Sequence, residues 1–512
     1  MQAGEGANKR IAKNTIILYI RMGITMLVSL YTSRVVLSTL GEMNYGILNI
    51  VSGSVAIFTF LNGALSGSAS RYLTYELGKR NHAKLQRTFS SSLHVHIAVG
   101  IIIVILSETV GLWLLDDKLV IPSDRMYAAH WAYQISVATV FLSILQVPYS
   151  ALIVAHEKMD IYAYLSIGDI VVKLGLIFLL QIIGGDKLII WTAMMMSVTF
   201  LYTSAYITYC KKKFPESKLI FHKEYDIYKN LFSFASWNLI GSISGMAQSQ
   251  GINLILNIYY GPIINAARAI ASQVQGSMMQ FSGNFMMATK PQIIKRYAAE
   301  DYKGMMELVY FSSSLSFYLV WLFTLPVILE LPFILRLWLG KYPEYTVSFT
   351  FLTLILALVL SIKDSRTTAT LATGKIKTTN LTVCVVLLLT FPIAWILLKL
   401  GFSPNSVIIE TIILTIIGEV IAIRILRRYI SFSIKRYFTT VYGRCLLVGI
   451  VSSILPTIIH HNMPPGIIRF ITVTLVSISC SIMTIYFIGL SNENRILLKR
   501  HTQSILSKFR NK

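Results

Sequence analysis

Long apolar stretches recur along the whole chain, and short polar segments separate each stretch from the next. An apolar stretch of about 20 residues is long enough to cross the hydrocarbon core of a bilayer as a helix. The pattern therefore predicts an all-α polytopic membrane protein with about 14 transmembrane helices. The predicted spans, numbered one to fourteen in chain order, cover residues 14–38, 44–77, 88–115, 127–154, 161–183, 188–210, 228–258, 263–289, 304–333, 346–373, 380–399, 405–425, 438–458 and 467–490.

The composition agrees with a bilayer as the main solvent of this chain. Of the 512 residues, 54% are hydrophobic and 13% are charged, whereas soluble domains carry about 25% charged residues. The formal net charge of +23 would suggest nucleic acid as a partner of a soluble protein. In a membrane protein the positions of the charges give a different explanation.

Lysine and arginine gather in alternate connecting segments. With the N-terminus inside, 32 of the 46 basic residues lie on the inner side, 7 lie on the outer side and 7 lie within spans. Cytoplasmic loops of membrane proteins carry such an excess of positive charge. Both termini are therefore predicted to be cytoplasmic. The asymmetry accounts for most of the net charge, so no nucleic-acid partner is expected.

Similar short motifs recur in the two halves of the chain. They are YGILN (45–49) with YGPIIN (260–265), FSSSL (89–93) with FSSSL (311–315), and AHEKM (155–159) with ATGKI (372–376). Their offsets lie between 215 and 222 residues, and an even number of spans separates each pair, so the two halves have the same orientation. Parallel repeats are a known transporter design, with the substrate site between the halves.

The repeat predicts two six-helix bundles followed by two additional helices. The longest inner connection lies near the middle of the chain and divides the halves. The predicted segments are an N-terminal six-helix bundle (1–210), a cytoplasmic linker (211–227), a C-terminal six-helix bundle (228–437), two additional transmembrane helices (438–490) and a basic cytoplasmic tail (491–512).

Four predicted spans carry polar residues at helical spacing along one face. Steps of three and four residues place side chains on the same face of a helix. Such polar faces turn towards a cavity or the bundle interior rather than lipid, which predicts a water-filled cavity between the halves; the alternative is that they hold helices together. The candidate lining residues are Asn49, Ser52, Gln250, Asn253, Asn265, Ser272 and Gln275.

Two arginines lie on these polar faces, Arg21 in span one and Arg268 in span eight. A charge at the centre of a membrane helix costs roughly 2.5–3.5 kcal/mol, and neither arginine has an acid within four residues on its own helix. A guanidinium group binds phosphate through two parallel hydrogen bonds, so the pair predicts an anionic substrate. Snorkelling to the interface is the alternative for both, and more so for Arg71, which lies near the inner end of span two.

The acidic residues within spans are few. Asp169 and Lys173 stand four residues apart in span five, a spacing that makes an ion pair on a helix. A structural pair and a role in coupling or gating both stay open for them. Glu330, Glu410 and Glu419 are weaker candidates for ion coupling.

Motifs of enzymes and cofactor sites are missing from the sequence. It contains no GxxxxGK[ST], GxSxG or HExxH motif, and its four cysteines are far apart. The outer connections are too short for the catalytic groups of a membrane glycosyltransferase or polymerase. No enzymatic activity, cofactor or metal is therefore expected.

Four sequence segments resemble bacterial polysaccharide flippases. They are SRVVLSTLGEMNYGILNIVSG (33–53), RYLTYELGKRN (71–81), GPIINAARAIASQVQG (261–276) and FSGNFMMATKPQIIKRYA (281–298). The chain looks most like the O-antigen and capsule flippase branch of Bacteroides-like bacteria, within the multidrug/oligosaccharidyl-lipid/polysaccharide exporter superfamily.

This resemblance implies a function in the bacterial inner membrane. It implies that spans one, two, seven and eight line a central cavity, and that the substrate is undecaprenyl pyrophosphate carrying an O-antigen (lipopolysaccharide), capsule or other polysaccharide unit. By span and face, Arg21 and Arg268 match cavity arginines of related lipid flippases, and Arg71 matches more loosely. Membrane lipids, a polysaccharide polymerase and glycosyltransferases are the implied partners. The rival is a cation-coupled multidrug antiporter of the same superfamily.

Overall fold

The computed structural model of this protein describes residues 2–59, 81–156, 158–220 and 245–490, with separate positions at 69, 72, 73, 76, 77 and 495. For residues 2–22, 24 and 25, and for some others within helices, the backbone alone is described. All regular structure in the described part of the chain is helical, so the predicted all-α polytopic fold is confirmed.

Sixteen helices follow one another in the described residues. Their bounds are α1 Gln2–Ile57, α2 His82–Leu106, α3 Met126–Ala155, α4 Met159–Ile182, α5 Lys187–Lys213, α6 Ile252–Tyr260, α7 Pro262–Ala298, α8 Tyr302–Leu329, α9 Leu331–Leu339, α10 Thr346–Ala372, α11 Ile376–Leu388, α12 Thr390–Lys399, α13 Asn405–Leu426, α14 Ile434–Tyr437, α15 Arg444–Asn462 and α16 Ile467–Thr484. Single π-helical turns extend several of them, including Phe438–Gly443 before α15 and Ile485–Gly489 after α16.

The helices agree with the predicted spans. Among the described residues, nine helical segments are long and apolar enough to cross a membrane, and each of them overlaps one predicted span. Helix α7 is the predicted eighth span and runs for 37 residues. It is not among the nine apolar segments because its polar face lowers its mean hydropathy, although its length is sufficient to span a bilayer.

A glycine breaks the helix at each of two corresponding junctions. Gly41 divides α1 into two helical segments with φ 75° and ψ 167°, and Gly261 separates α6 from α7 with φ 73° and ψ −172°. Residues with a side chain rarely adopt this region of backbone conformation. The two glycines are 220 positions apart, so Gly41 is the conformational counterpart of Gly261, although the repeated YG motif aligns Gly46 with it.

Helix boundaries repeat at a similar offset. Helix α2 begins at His82 and α8 begins at Tyr302, and both are preceded by an N-cap whose side chain accepts a backbone hydrogen bond, Asn81 in one case and Asp301 in the other. Helix α3 ends at Ala155, 217 positions before the end of α10. The internal repeat inferred from short motifs is therefore present in the order and length of the helices.

The chain divides into two compact units. Unit 1 comprises residues 1–270, 342–346 and 380–414, and unit 2 comprises residues 271–341, 347–379 and 415–512. These units are defined by compactness, whereas the predicted bundles are defined by the repeat. The bundle boundaries at 210, 228 and 437 stay a prediction.

In unit 1 a hydrophobic core forms where α2, α3 and α5 pack together. Phe89 and Tyr149 meet edge to face at 5.2 Å, and Leu152 and Cys210 are fully buried beside them. Small buried residues, among them Ser90, let helices approach closely. Close approach matters in a membrane because dispersion contacts replace the hydrophobic effect as the force between helices.

In unit 2 the last two long helices pack on α8. The indole Nε1 of Trp321 in α8 donates to Ser452 Oγ in α15 at 2.8 Å, and the same ring lies 3.7 Å from the position that a Cβ on Gly449 would take. The hydroxyl of Tyr318 donates to the carbonyl oxygen of Gly489 at 3.3 Å. The two additional helices are thus an integral part of unit 2.

Candidate functional site

Three asparagines, two of them fully buried, join the polar faces of α6 and α7 in unit 1. The side-chain amide of Asn257 donates to Asn265 Oδ1 at 2.9 Å, and that of Asn265 donates to the Asn253 carbonyl oxygen at 2.8 Å. Asn257 Oδ1 accepts from the backbone N–H of Val120 at 2.8 Å. Asn257 and Asn265 are 0% and 1% exposed. The side chains of Asn257 and Asn265 thus hold α6 and α7 together. This helix-joining role is the alternative to lining a cavity.

Helix α1 lies against this corner at two glycines. A Cβ on Gly46 would stand 1.9 Å from the carbonyl oxygen of Pro262, and one on Gly53 would stand 2.7 Å from Gln250 Oε1. Both distances are too short for a side chain, so α1 contacts α7 and the turn before α6 through bare backbone. The structure therefore brings together three of the four predicted polar spans, namely spans two, seven and eight.

Gln250 and Asn253 lie beside this contact with α1. Asn253 Nδ2 donates to Gln250 Oε1 at 3.0 Å, and both residues are half-buried. Their exposure leaves part of each side chain accessible to a ligand. Amide groups arranged in this way can donate to and accept from sugar hydroxyls.

Arg268 lies one turn beyond Asn265 on the same face of α7. Its side chain is buried, with 9% of the residue exposed. Its Nη2 donates to the carbonyl oxygen of Ser249 at the long distance of 3.5 Å, and its Nε has no hydrogen-bond partner in the described part of the chain. No acidic group of the described residues acts on its charge. This guanidinium therefore keeps donors and charge for an anion.

The remaining predicted lining residues have mixed environments. Asn49 donates to the carbonyl oxygen of Tyr45 in its own helix at 2.7 Å, and Ser52 is half-buried. Farther along α7, Ser272 is exposed and Gln275 is half-buried. Asn49 has a structural use in this state, whereas the other three keep accessible polar surface.

The structure does not describe the side chains of two of the three predicted arginines. Arg21 belongs to α1, of which only the backbone is described at that position, and Arg71 is outside the described part of the chain. Their roles in binding stay predictions.

The predicted ion pair in span five is present. Lys173 Nζ lies 2.8 Å from Asp169 Oδ2, and both side chains are about one-third exposed (38% and 31%). An exposed pair of this kind contributes little to stability. The predicted contact is therefore present, and both its structural use and a coupling role stay predictions.

Two of the three weaker acidic candidates are held in ion pairs within unit 2. Glu419 accepts from Arg366 Nε at 2.9 Å and Nη2 at 2.7 Å. Glu330 accepts from Arg469 Nη2 at 2.9 Å, and its other oxygen lies 2.9 Å from His460 Nδ1. The sequence gives no signal of these pairs because the partners are 53 and 130–139 positions apart.

Glu410 in α13 is different from those two acids. It is 7% exposed, and neither carboxyl oxygen has a hydrogen-bond partner among the described residues. A buried carboxyl group without a partner is costly in its charged form. The residues that the structure describes include no group of three or more metal-ligating side chains.

The fold defined by these helices is that of polytopic membrane transporters. The lipid II flippase MurJ in an inward closed conformation is similar, with a TM-score of 0.69 at 14% identity over 92% of this chain and 98% of that one. An inward-facing multidrug resistance MATE family transporter of the MOP superfamily has a TM-score of 0.62 at 14% identity, over 80% and 97%. The MATE multidrug transporter DinF-BH in complex with R6G has a TM-score of 0.60 at 14% identity, over 81% and 95%.

No protein-family model matches the chain, and no curated protein matches it. The TM-scores of these structures show a shared fold. Because the identities are only 14%, the substrate has to be argued from the site. The chain is thus a polytopic membrane protein with the fold common to a lipid flippase and to multidrug transporters.

Proposed function

We propose that this protein is a flippase for undecaprenyl-pyrophosphate-linked oligosaccharide. It would move an O-antigen, capsule or other surface polysaccharide unit from the inner to the outer leaflet of a bacterial inner membrane by alternating access. No covalent bond is made or broken in this process. Glycosyltransferases would supply the lipid-linked substrate, and a polysaccharide polymerase would consume it.

The observation that carries this proposal is the state of Arg268. A buried guanidinium in a membrane helix, with one long hydrogen bond and an unpartnered Nε, is unfavourable without a counter-charge. A pyrophosphate supplies that charge and accepts two parallel hydrogen bonds. The neighbouring amides of Gln250 and Asn253 would bind sugar hydroxyls, while the polyprenyl tail stays in lipid.

The extent of the structural likeness supports a flippase over a multidrug transporter. The flippase aligns with 92% of this chain and the transporter with 80%. The difference is about 60 residues, comparable with the 56 residues from Ile434 to Gly489 that hold α15 and α16. We take the larger aligned share as support for the flippase, with the two additional helices as the part that the flippase shares with this chain.

The test compares Arg268→Ala and Arg268→Lys in a strain that lacks the native gene. We expect the alanine variant to reduce glycan export by tenfold or more, because a hydrogen bond to a charged group contributes about 1.5–3 kcal/mol. The lysine variant should retain part of the export, because it keeps the charge but lacks the planar fork. Undecaprenyl-linked units should accumulate on the inner face.

Arg336→Ala is the matched control, since Arg336 is an exposed arginine in α9 outside the site, and it should export normally. Full export by both Arg268 variants would mean that this arginine only snorkels. All variants are compared at equal membrane abundance.

A cation-coupled multidrug antiporter is the second candidate, and Glu410 favours it. An antiporter needs a buried acid that exchanges protons against a cationic drug, and Glu410 is a buried acid with no hydrogen-bond partner among the described residues. The deletion strain distinguishes the two functions when its drug sensitivity is measured in parallel. Normal glycan with new drug sensitivity would support the antiporter and contradict the flippase.

A further inference from the structure

A groove opens in unit 2 where three helices end together. It is a small, open groove of about 60 Å³, which is enough for one small polar group. Its walls come from the first half of α8, from the start of α15 and from the turn after α16. The lining residues that matter here are Tyr310, Ser314, Tyr318, Thr440, Arg444 and Leu490, and we call it the Arg444 groove.

Positive charge dominates this groove. Its one acidic lining residue, Glu307, is already paired with Arg436, whose Nη2 lies 2.7 Å from Glu307 Oε1. The Arg436 guanidinium also lies 5.6 Å over the ring of Tyr310. Arg444 is the remaining charged residue of the lining among the residues that the structure describes. Arg495 adds another guanidinium beside the wall, because its Nε donates to the carbonyl oxygen of Leu490 at 3.1 Å.

Hydroxyl groups stand close to this charge. Thr440 and Tyr310 line the same groove as Arg444, and hydroxyls together with a guanidinium are typical ligands of phosphate oxygens. Ser314 also lines the groove, but it is buried and its hydroxyl is bonded to Tyr318 and Cys445. The hydroxyl of Tyr318 is used instead to close the deeper wall, by donating to Gly489. The polar part of the groove is therefore suited to one phosphate group.

Exposed apolar side chains lie on the two helices that begin or end at the groove. In the first turns of α15, Leu447 and Ile450 are 52% and 53% exposed, and after α16 Phe487 is 65% exposed. These side chains lie within the predicted spans, where the surrounding solvent is lipid. A ligand that fills the groove and follows these surfaces has a polar phosphate head and apolar chains.

We propose that the Arg444 groove binds the headgroup of an anionic diacyl phospholipid. Its phosphate would bind Arg444 with Thr440 and Tyr310, and its acyl chains would lie on α15 and α16. The charge asymmetry predicts this end of unit 2 to be cytoplasmic, where basic pockets between transmembrane helices hold lipid headgroups. The site is distinct from Arg268, and the inference does not depend on the proposed function.

The experiment measures lipid retention by the purified full-length protein in detergent, using native mass spectrometry. The probes are phosphatidylglycerol and phosphatidylcholine of the same acyl chains. We expect the wild type to retain phosphatidylglycerol preferentially and Arg444→Ala to bind it about tenfold more weakly, which corresponds to 1.4 kcal/mol. Arg444→Lys should restore part of the binding.

Arg428→Ala is the matched control, since Arg428 is exposed at the same predicted side but does not line the groove. It should bind like the wild type. Equal losses in the two alanine variants would mean unspecific attraction of anionic lipid and overturn the proposal. Competition by glycerol 3-phosphate at the same concentration as the lipid would also overturn it, because the ligand would then be a soluble phosphate.

Thr440→Leu keeps the inference testable if Arg444→Ala does not fold. This change keeps every charge and fills part of the groove with apolar bulk. Weaker binding of phosphatidylglycerol by this variant supports the site, and unchanged binding contradicts it. Monodispersity in size-exclusion chromatography identifies variants that remain folded.

Discussion

Two buried arginines of this protein have opposite surroundings. Arg366 is 4% exposed and holds Glu419, which is 3% exposed, through two hydrogen bonds. Arg268 is buried to a similar degree, but no acidic group among the described residues acts on its charge. A buried pair offsets most of the cost of removing its charges from water, whereas a single charge leaves that cost unbalanced. Arg366 thus has its counter-charge within the protein, whereas the proposed counter-charge of Arg268 is the pyrophosphate of the substrate.

The Arg366–Glu419 pair should behave as a unit in stability measurements. Removing one partner leaves an uncompensated buried charge, so Glu419→Gln and Arg366→Met should each lower the free energy of unfolding by about 3–5 kcal/mol. The double variant Arg366→Met/Glu419→Leu should recover most of the loss. Thermal unfolding in detergent measures the change.

Lys173→Met serves as the control for that comparison, because it breaks the partly exposed pair with Asp169 and should cost at most about 1 kcal/mol. If Glu419→Gln were fully stable and yet abolished transport, Glu419 would be a coupling residue rather than a structural one.

At the scale of single elements, the start of α5 shows how a loop residue fixes a membrane helix. Asp186 is the N-cap, and its Oδ1 accepts from the backbone N–H of Leu188 at 3.0 Å. Its other oxygen lies 2.8 Å from Arg125 Nη1, at the start of α3. Partial burial favours the neutral carboxyl, but the hydrogen bond from Arg125 and those from the backbone outweigh it, so the pKa of Asp186 lies below its usual value.

Asp186→Asn should therefore destabilise the protein in a pH-dependent way. A lowered pKa in the folded state gives stability that is present above the unfolded pKa of about 3.9 and is lost as the pH falls through the folded pKa. Asparagine keeps the N-cap but loses the ion pair with Arg125, so we expect a loss of about 0.2–1 kcal/mol at pH 7, which shrinks below pH about 4. Asp124→Asn, an exposed acid nearby, should show neither effect in thermal unfolding at the two pH values.

Helix order and bounds could be read from the sequence because each span is a long apolar run, and a run of that length has one favourable structure in a bilayer. The ends of α3 and α13 lie within a few residues of their predicted positions. Contacts between helices could not be read in this way. Arg366 and Glu419 are both polar residues in apolar spans, and only packing shows that they face each other.

The candidate site was predictable in part for the same reason. Helical spacing predicts that Asn265 and Arg268 lie on one face of α7. In the structure both side chains donate to backbone carbonyl oxygens of the same neighbouring segment, at Asn253 and Ser249. Spacing alone does not distinguish an amide that holds two helices from one that faces a ligand. Asn265 belongs to the first kind because its partners are on the neighbouring helix, whereas Gln250 keeps exposed surface.

At the scale of the whole molecule, the basic residues predict one orientation in the membrane. The excess of 32 against 7 basic residues places the connection between α7 and α8 inside and the one between α2 and α3 outside. Inner and outer connections alternate along the chain. A single error in the number of spans would therefore exchange inner and outer sides for every connection that follows it.

Cysteine labelling in intact cells tests this orientation. Asp124→Cys should react with a membrane-impermeant maleimide added outside, and Lys303→Cys should react only after permeabilisation, since both positions are exposed. The native Cys210, Cys384 and Cys445 are buried, and Cys480 is replaced by serine to remove its background. Labelling of Lys303→Cys in intact cells would reverse the predicted topology.

Gly41 and Gly261 are corners at which the stereochemistry of the chain matters. Their conformation, near φ +75° with an extended ψ, is the mirror image of a backbone that L-residues adopt readily, and an L-side chain there carries about 1–3 kcal/mol of strain. Only an achiral residue is free of this strain in both mirror forms. The two halves differ in most of their residues, yet each turns from one helix to the next at such a glycine, so the repeat is clearer in backbone handedness than in side chains.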